Sequence, residues 1–202
     1  MPYLKFEDFN HHINKKLLYY STWKFNKHDF DTNSDLFIEC QNTENMLSQW
    51  AKNLLKPAYI YRSFSAYSYE NKIVINFPEK SVAVSYCSES FNMSQIGIQL
   101  VTLGKEAVIM SKKLFEQGKF QLHFYWHGYC ATLTEALAEH VHRVNVIDYK
   151  KTKRLSFGYP ALPSILEQIE IVEMLAGKEI DVEISQKNGM LVPEYSTCAL
   201  VL

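Results

Sequence analysis

The segment Arg154-Leu155-Ser156-Phe157-Gly158-Tyr159-Pro160-Ala161-Leu162-Pro163 gathers the most chemically capable groups in the chain. Arg154 carries a planar fork of donors that matches a carboxylate or phosphate, and a lysine cannot reproduce that fork. Tyr159 offers a π-face and a hydroxyl. Gly158 permits a backbone shape, or a close approach, that a Cβ would forbid. Pro160 and Pro163 fix their own φ and push Tyr159 and Leu162 toward extended conformations. A loop this stiff holds its backbone groups in place, and Ser156 would act through those groups. Such a loop can hold a small zwitterionic or nucleoside-like ligand. It can equally be a rigid connector whose arginine forms a surface ion pair, and the residues alone leave both readings open.

The histidines suggest metal chemistry at first sight. His123 and His127 stand four residues apart, the spacing of two ligands on one helix face. The segment reads His123-Phe124-Tyr125-Trp126-His127, however, without the glutamate of H-E-x-x-H. The pairs His11-His12 and His140/His142 add no obvious third ligand, so no metal site is expected. Cys40, Cys87, Cys130 and Cys198 form no C-x-x-C, which argues against a zinc knuckle or redox pair and for reduced, structural thiols. No P-loop, G-x-G-x-x-G or G-x-S-x-G is present, and no residue is assigned a catalytic role.

Twenty-one basic and 22 acidic residues leave a net charge of −1, against a general nucleic-acid binder, which needs clustered cations. Lys151, Lys153 and Arg154 form a local basic cluster. The N-terminal residues lack the basic-then-apolar run of a signal peptide, and no apolar run approaches a membrane span. The expected compartment is the cytoplasm. The 202 residues suit one domain, or a domain with an appended N-terminal segment.

Several elements must position the loop. Residues 1–41 show weak periodicity and are expected to form short helices or an arm. Met46, Leu47, Trp50, Leu54 and Leu55 follow one helical face from Thr43, stopped by Pro57. Residues 58–66 are β-rich. Lys72–Phe77 and Ser81–Tyr86 read as a hairpin around Pro78-Glu79-Lys80. Ile96 to Val101 fits strand or helix. Gly104 precedes a helix to about Gln117, with Gly118 its stop. Across 119–145, Phe120, Leu122, Phe124 and Trp126 alternate like a strand. Leu122, Trp126, Tyr129, Leu133, Ala136, Leu137 and His140 follow a helical face for longer, and helix is preferred. Gly128 inside that helix implies close packing against another element. A second helix is expected over about 164–176, opened by a Ser164-x-x-Glu167 capping box and ended by Gly177. Ile180, Val182 and Ile184 alternate as a strand, Asn188-Gly189 marks a turn, and Ala199 to Leu202 closes the chain as an apolar strand.

The Arg154–Pro163 segment also resembles the R-x-x-x-G-Y-P segment of the activation (reactivation) domain of cobalamin-dependent methionine synthase. Thr134-Glu135-Ala136-Leu137-Ala138-Glu139-His140 is similar to that family's Ala/Glu-rich helix, and Ile165 to Leu175 to its next helix. Met190-Leu191-Val192-Pro193 and Ser196-Thr197-Cys198-Ala199 resemble its Met-x-Pro segment and small-residue strand, in the same order. Leu55 to Phe64 and Leu103-Gly104 are similar to short, free-standing relatives. The resemblance is specific over 118–202, extends across 55–117 and is absent over 1–54. It supports the helical reading of 119–145. It divides the chain into an N-terminal helical segment, 1–54, and an activation-domain-like unit, 55–202, expected to form one compact body.

The resemblance implies an α+β fold, a twisted, mainly antiparallel sheet with packed helices. It implies that S-adenosylmethionine binds through Glu135, Arg154, Ser156, Gly158 and Tyr159. Arg154 would take the ligand carboxylate and Glu135 its amino or sulfonium charge. The expected function is that of a free-standing subunit assisting reductive remethylation of cobalamin on a separate methionine synthase chain, with a flavodoxin-like reductant. The residues around Glu135 also admit a local role: Thr132-x-x-Glu135 reads as a capping box, and Glu139 with Arg143 as a helical ion pair. Two departures stand out. The family's N-terminal acidic residue aligns with Asn14 or Lys15, and its C-terminal tyrosine falls past Leu202. They motivate the alternative of a non-catalytic docking or stabilising subunit that has lost S-adenosylmethionine.

Overall fold

Alternating burial builds the sheet. A computed structural model describes residues 4–28, 34–87 and 94–202. The sheet strands are β1 (Ala58–Tyr69), β2 (Lys72–Asn76), β3 (Ser81–Ser85), β4 (Gln95–Thr102), β5 (Arg154–Ser156) and, after the two-residue β6 (Glu183–Ile184) and β7 (Leu191–Val192), β8 (Ser196–Val201). Six of them form one antiparallel sheet in the order β3-β2-β1-β4-β8-β5, and β6 pairs with β7 apart from it. The expected hairpin is β2–β3, with Ile73 opposite Val84 and Ile75 opposite Val82. The 96–101 segment lies within a strand because it sits mid-sheet, with Ile96 to Thr102 buried throughout. A run buried on both faces carries no period, which is why the sequence left it open.

The helices are α1 (Ser34–Leu54), α2 (Lys105–Glu116), α3 (Phe120–Asn145) and α4 (Gln168–Met174). One face of the sheet packs on α3. Trp126, Tyr129, Leu133, Leu137 and Val141 form a core there with Val101 and Leu103. The other face packs Ile98, Leu100 and Leu200 against Phe157, Ile171 and Leu175. A large apolar side chain so buried contributes about 1.5–3 kcal/mol. Helix wins over strand in α3 because its buried residues recur every third or fourth position, while Phe120 and Phe124 of the alternating set are exposed. The Trp126 indole donates to the Ala107 carbonyl at 2.9 Å, which fixes α3 to α2.

The N-terminal region supplies short helices, as expected: Phe6–Phe9, a 3₁₀ turn Asn10–His12 and a π-helical turn Leu17–Thr22. Residues 1–3 and 29–33 of the expected arm lie outside the described residues. Phe9, Leu18 and Trp23 pack into the α3 core. Gly128 explains how they approach so closely. A Cβ there would lie 2.5 Å from Thr22 Cγ2 and 3.0 Å from Trp23 Cδ1.

Five local expectations fail. The first is the strand over Ile180, Val182 and Ile184: Gly177–Ile180 is a 3₁₀ turn and only Glu183–Ile184 pairs. Helix α1 begins well before Thr43, and Leu54 on its supposed inner face is exposed. No capping bond forms at Ser164, because Glu167 instead accepts from the Ser85 backbone N–H at 2.8 Å and the Ser85 hydroxyl at 2.7 Å. Ala176, not Gly177, takes the left-handed turn after α4, at φ 56°. Gly177 is needed for room, since its Cβ would lie 3.0 Å from the Val182 carbonyl. Thr132 is mid-helix and donates to the Gly128 carbonyl at 2.9 Å, so it cannot cap.

The contact at Gly128 is open to a direct check. Gly128→Val is expected to lower the unfolding free energy by about 2–3 kcal/mol in urea titrations. Ala131→Val, on the exposed side of the same helix, should cost only about 0.5 kcal/mol.

Candidate functional site

Strand β5 is short and lies at the sheet edge, held by β8. Arg154 pairs with Val201, Leu155 with Leu200 and Ser156 with Ala199. The ladder continues one step further, where the Lys153 N–H donates to the Leu202 carbonyl at 2.7 Å and the Leu202 N–H to the Lys153 carbonyl at 3.0 Å. This anchoring sets Arg154 beside α3. Its Nη2 donates to Glu135 at 3.3 Å and lies 3.8 Å from a Glu139 carboxylate oxygen. Glu139 also accepts from Arg143 Nε at 2.6 Å, the expected helical pair. The four charges therefore alternate in sign along one edge of α3.

Glu139 accepts from Arg143 and faces Arg154. Burial works to raise its carboxyl pKa, but the Arg143 hydrogen bond and the charges of Arg143 and Arg154 outweigh it and hold the value below normal.

Beyond Ser156 the chain turns sharply. Gly158 takes φ 82°, where an L side chain is strained, although a Cβ would meet only Ile165 at 3.6 Å. The conformation, not the space, requires glycine. The Gly158 N–H donates to the Leu162 carbonyl at 2.8 Å, and the Leu162 N–H to the Tyr159 carbonyl at 2.9 Å. Pro160 thus occupies the second position of a four-residue turn, where its fixed φ fits. The Cys87 N–H donates to the Ala161 carbonyl at 3.0 Å and ties the loop to the chain after β3. Phe157 is the buried anchor of the loop. Tyr159 is 67% exposed and is not packed down on the sheet.

Between this loop, β8 and α3 lies a cleft of about 610 Å³, within the range of small-molecule sites. Glu135, Arg154, Ser156 and Tyr159 line it together, while Gly158 shapes the loop without lining it. Gln168, Met190, Glu194, Thr197 and Cys198 line it as well, without a chemical motif in the sequence to mark them. The segments that carry most of them were visible only as a Met-x-Pro stretch and a run of small residues. Gln168 is buried and donates to the Gly189 carbonyl at 2.7 Å, holding the 186–189 turn against α4. Burial pushes the Cys198 thiol up to about 12, so it forms wall rather than nucleophile.

The histidines take separate partners. His123 Nδ1 lies 3.1 Å from the Ser111 hydroxyl, and His127 Nδ1 lies 3.0 Å from the Tyr195 hydroxyl. His140 packs near His12, with ring centroids 5.7 Å apart. Among the described residues no group of three or more His, Cys, Asp or Glu is placed to hold a metal ion. Nor is any described helix long and apolar enough to cross a membrane.

A crystal structure of the MetH reactivation domain bound to AdoHcy aligns with 100% of this chain and 77% of its own, at a TM-score of 0.79 and 17% identity. The chain has the reactivation-domain fold. The expected α+β architecture, with its antiparallel sheet and packed helices, is thereby shown, as is the resemblance that suggested it. Methionine synthase of Mycobacterium leprae is 29% identical over 193 residues, covering 72% of this chain and 16% of that protein. Methionine synthase of Mycobacterium tuberculosis is 27% identical over 197 residues, covering 74% and 16%. The chain thus spans 16% of the length of the curated relatives it matches. No family model matches it.

The lowered Glu139 carboxyl has a consequence for stability. Its contribution is present above the ordinary carboxyl value of 4.5 and is lost as the pH falls through the lower folded value. Glu139→Gln is therefore expected to lower the urea midpoint at neutral pH. The difference from wild type should shrink progressively below pH 4.5.

Proposed function

We propose that this chain is an activation-domain-like subunit. It binds S-adenosylmethionine in the cleft between the Ser156–Leu162 loop, β8 and α3, and assists reductive remethylation of cobalamin carried by a separate methionine synthase chain. The observation that carries the reading is the meeting of Arg154 with Glu135 in one cleft. It occurs on a fold shared with a reactivation domain bound to AdoHcy.

A methionine moiety brings the same two charges that Arg154 and Glu135 already balance against each other. Its carboxylate suits the guanidinium fork, and its ammonium or sulfonium suits Glu135. The existing contact is one long hydrogen bond to a half-exposed carboxylate. Such pairs are worth about 0–1 kcal/mol, so inserting a zwitterion between them costs little and gains two parallel bonds. Ser156 and the turn at Gly158 hold backbone groups along the ligand. The exposed Tyr159 ring flanks it or meets the partner.

Cobalamin on the partner chain supplies the methyl acceptor, and a flavodoxin-like reductant supplies the electron. This chain supplies position and electrostatics and catalyses no methyl transfer alone. Residues 1–54 and 55–202 act as one unit in this role, in the cytoplasm. One observation favours the second reading, a docking subunit without ligand: Arg154 already lies between two carboxylates.

Calorimetric titration with S-adenosylmethionine separates the two. Saturable binding is expected, weakened about tenfold to a hundredfold by Arg154→Ala, with Arg154→Lys also impaired. A folded wild-type protein that binds nothing contradicts the ligand reading and leaves the docking role.

A further inference from the structure

We infer that Glu194 is a further ligand-binding residue of the cleft, accepting the vicinal ribose hydroxyls of the bound nucleoside at the end opposite Arg154. The inference rests on the ligand reading above and assigns the cleft's second end.

The cleft has three charged lining residues, Glu135, Arg154 and Glu194. The first two pair with each other at 3.3 Å. Glu194 stands apart from them. Arg154 is paired with Val201 at the far end of β8, whereas Glu194 precedes Ser196, where β8 begins. Helix α3 gives the separation of the two side-chain heads. Arg154 reaches it at Glu135, and Glu194 reaches it at His127, 3.7 Å away and eight residues earlier. Eight residues of α-helix span about 12 Å. An extended amino-acid tail with its ribose bridges that gap once the side chains reach inward from both ends.

Glu194 is positioned without being consumed. His127, its neighbour, is engaged by the Tyr195 hydroxyl at 3.0 Å. Tyr195 is buried and also lies 3.3 Å from the Ser111 hydroxyl, so the next residue along the chain is fixed. The 3.7 Å separation from His127 is too long for a hydrogen bond, and the Glu194 side chain remains 56% exposed. An ionised carboxylate only accepts, through two oxygens. A vicinal diol presents two donors to match them. The edge of an adenine mixes donors with acceptors and fits an acceptor-only group less well. Sugar diols are held by carboxylates elsewhere for this reason.

A ligand-by-mutant cycle tests the assignment. S-adenosylhomocysteine and its 2′,3′-dideoxyribose analogue are titrated calorimetrically into wild type, Glu194→Ala and Glu194→Gln. Removing the hydroxyls is expected to weaken binding to wild type about tenfold, and binding to Glu194→Ala by no more than about twofold. Glu194→Gln, which keeps one acceptor, should fall between. A structural effect of the substitution would weaken both ligands alike and leave the hydroxyl dependence intact, and that result overturns the inference. So does a Glu194→Ala protein that binds S-adenosylhomocysteine as wild type does. If the folded wild type binds neither ligand, the S-adenosyl reading of the cleft fails and this assignment falls with it.

Discussion

The antiparallel seating of β8 between β4 and β5 is the constraint on which the candidate site depends. Val101 and Leu100 of β4 pair with Thr197 and Cys198, while Leu200 and Val201 pair with Leu155 and Arg154. One strand therefore presents cleft-lining residues at its start and fixes the arginine at its end. Cys198, Ala199, Leu200 and Val201 are all buried, and Cys198 and Leu200 belong to the core that holds Phe157 and Ile171. A slip by one residue would turn its buried set to the opposite face. It would also carry Arg154 away from α3.

Helix α3 is the second half of the same device. Its inner face is spent on Trp126, Leu133, Leu137 and Val141, which bind it to the sheet. Its edge toward β5 is then left for Glu135 and Glu139, and farther along for His127. The N-terminal helices press on the same helix around Gly128, with Tyr19 and Lys15 held by Glu44 on α1. The segment with no sequence resemblance thus packs behind the helix that carries the carboxylates.

Much of the fold was legible because local patterns agreed with tertiary demands. The β2–β3 hairpin alternates cleanly, and the 119–145 helix keeps its buried spacing through several turns. The ambiguous stretch at 96–101 is a central strand, where burial on both sides erases the period. The failed capping boxes have two causes: Thr132 stands mid-helix with no helix start to cap, and the acidic partners are engaged at long range. Glu167 pairs with Ser85 and Glu135 with Arg154. Arg154, Tyr159 and Glu135 stood out in the sequence because loop chemistry and a charged helix are local signals. Glu194 did not, since its place in the cleft comes only from the return of the chain through the Met190–Thr197 segment, and Gln168 did not, since it enters the cleft from the start of α4. Tyr159 does not anchor the loop. The anchor is Phe157, which leaves the tyrosine ring in solvent.

In the proposed role, Arg154 and Glu135 exchange their mutual ion pair for a pair of contacts with one zwitterionic ligand. A crystal structure of the protein grown with S-adenosylhomocysteine tests this most directly. The expected result is the ligand carboxylate on the Arg154 guanidinium, the ammonium on Glu135, and the 3.3 Å contact between the two side chains opened. A ligand bound elsewhere, or bound in the cleft with the Arg154–Glu135 pair still closed, would contradict it.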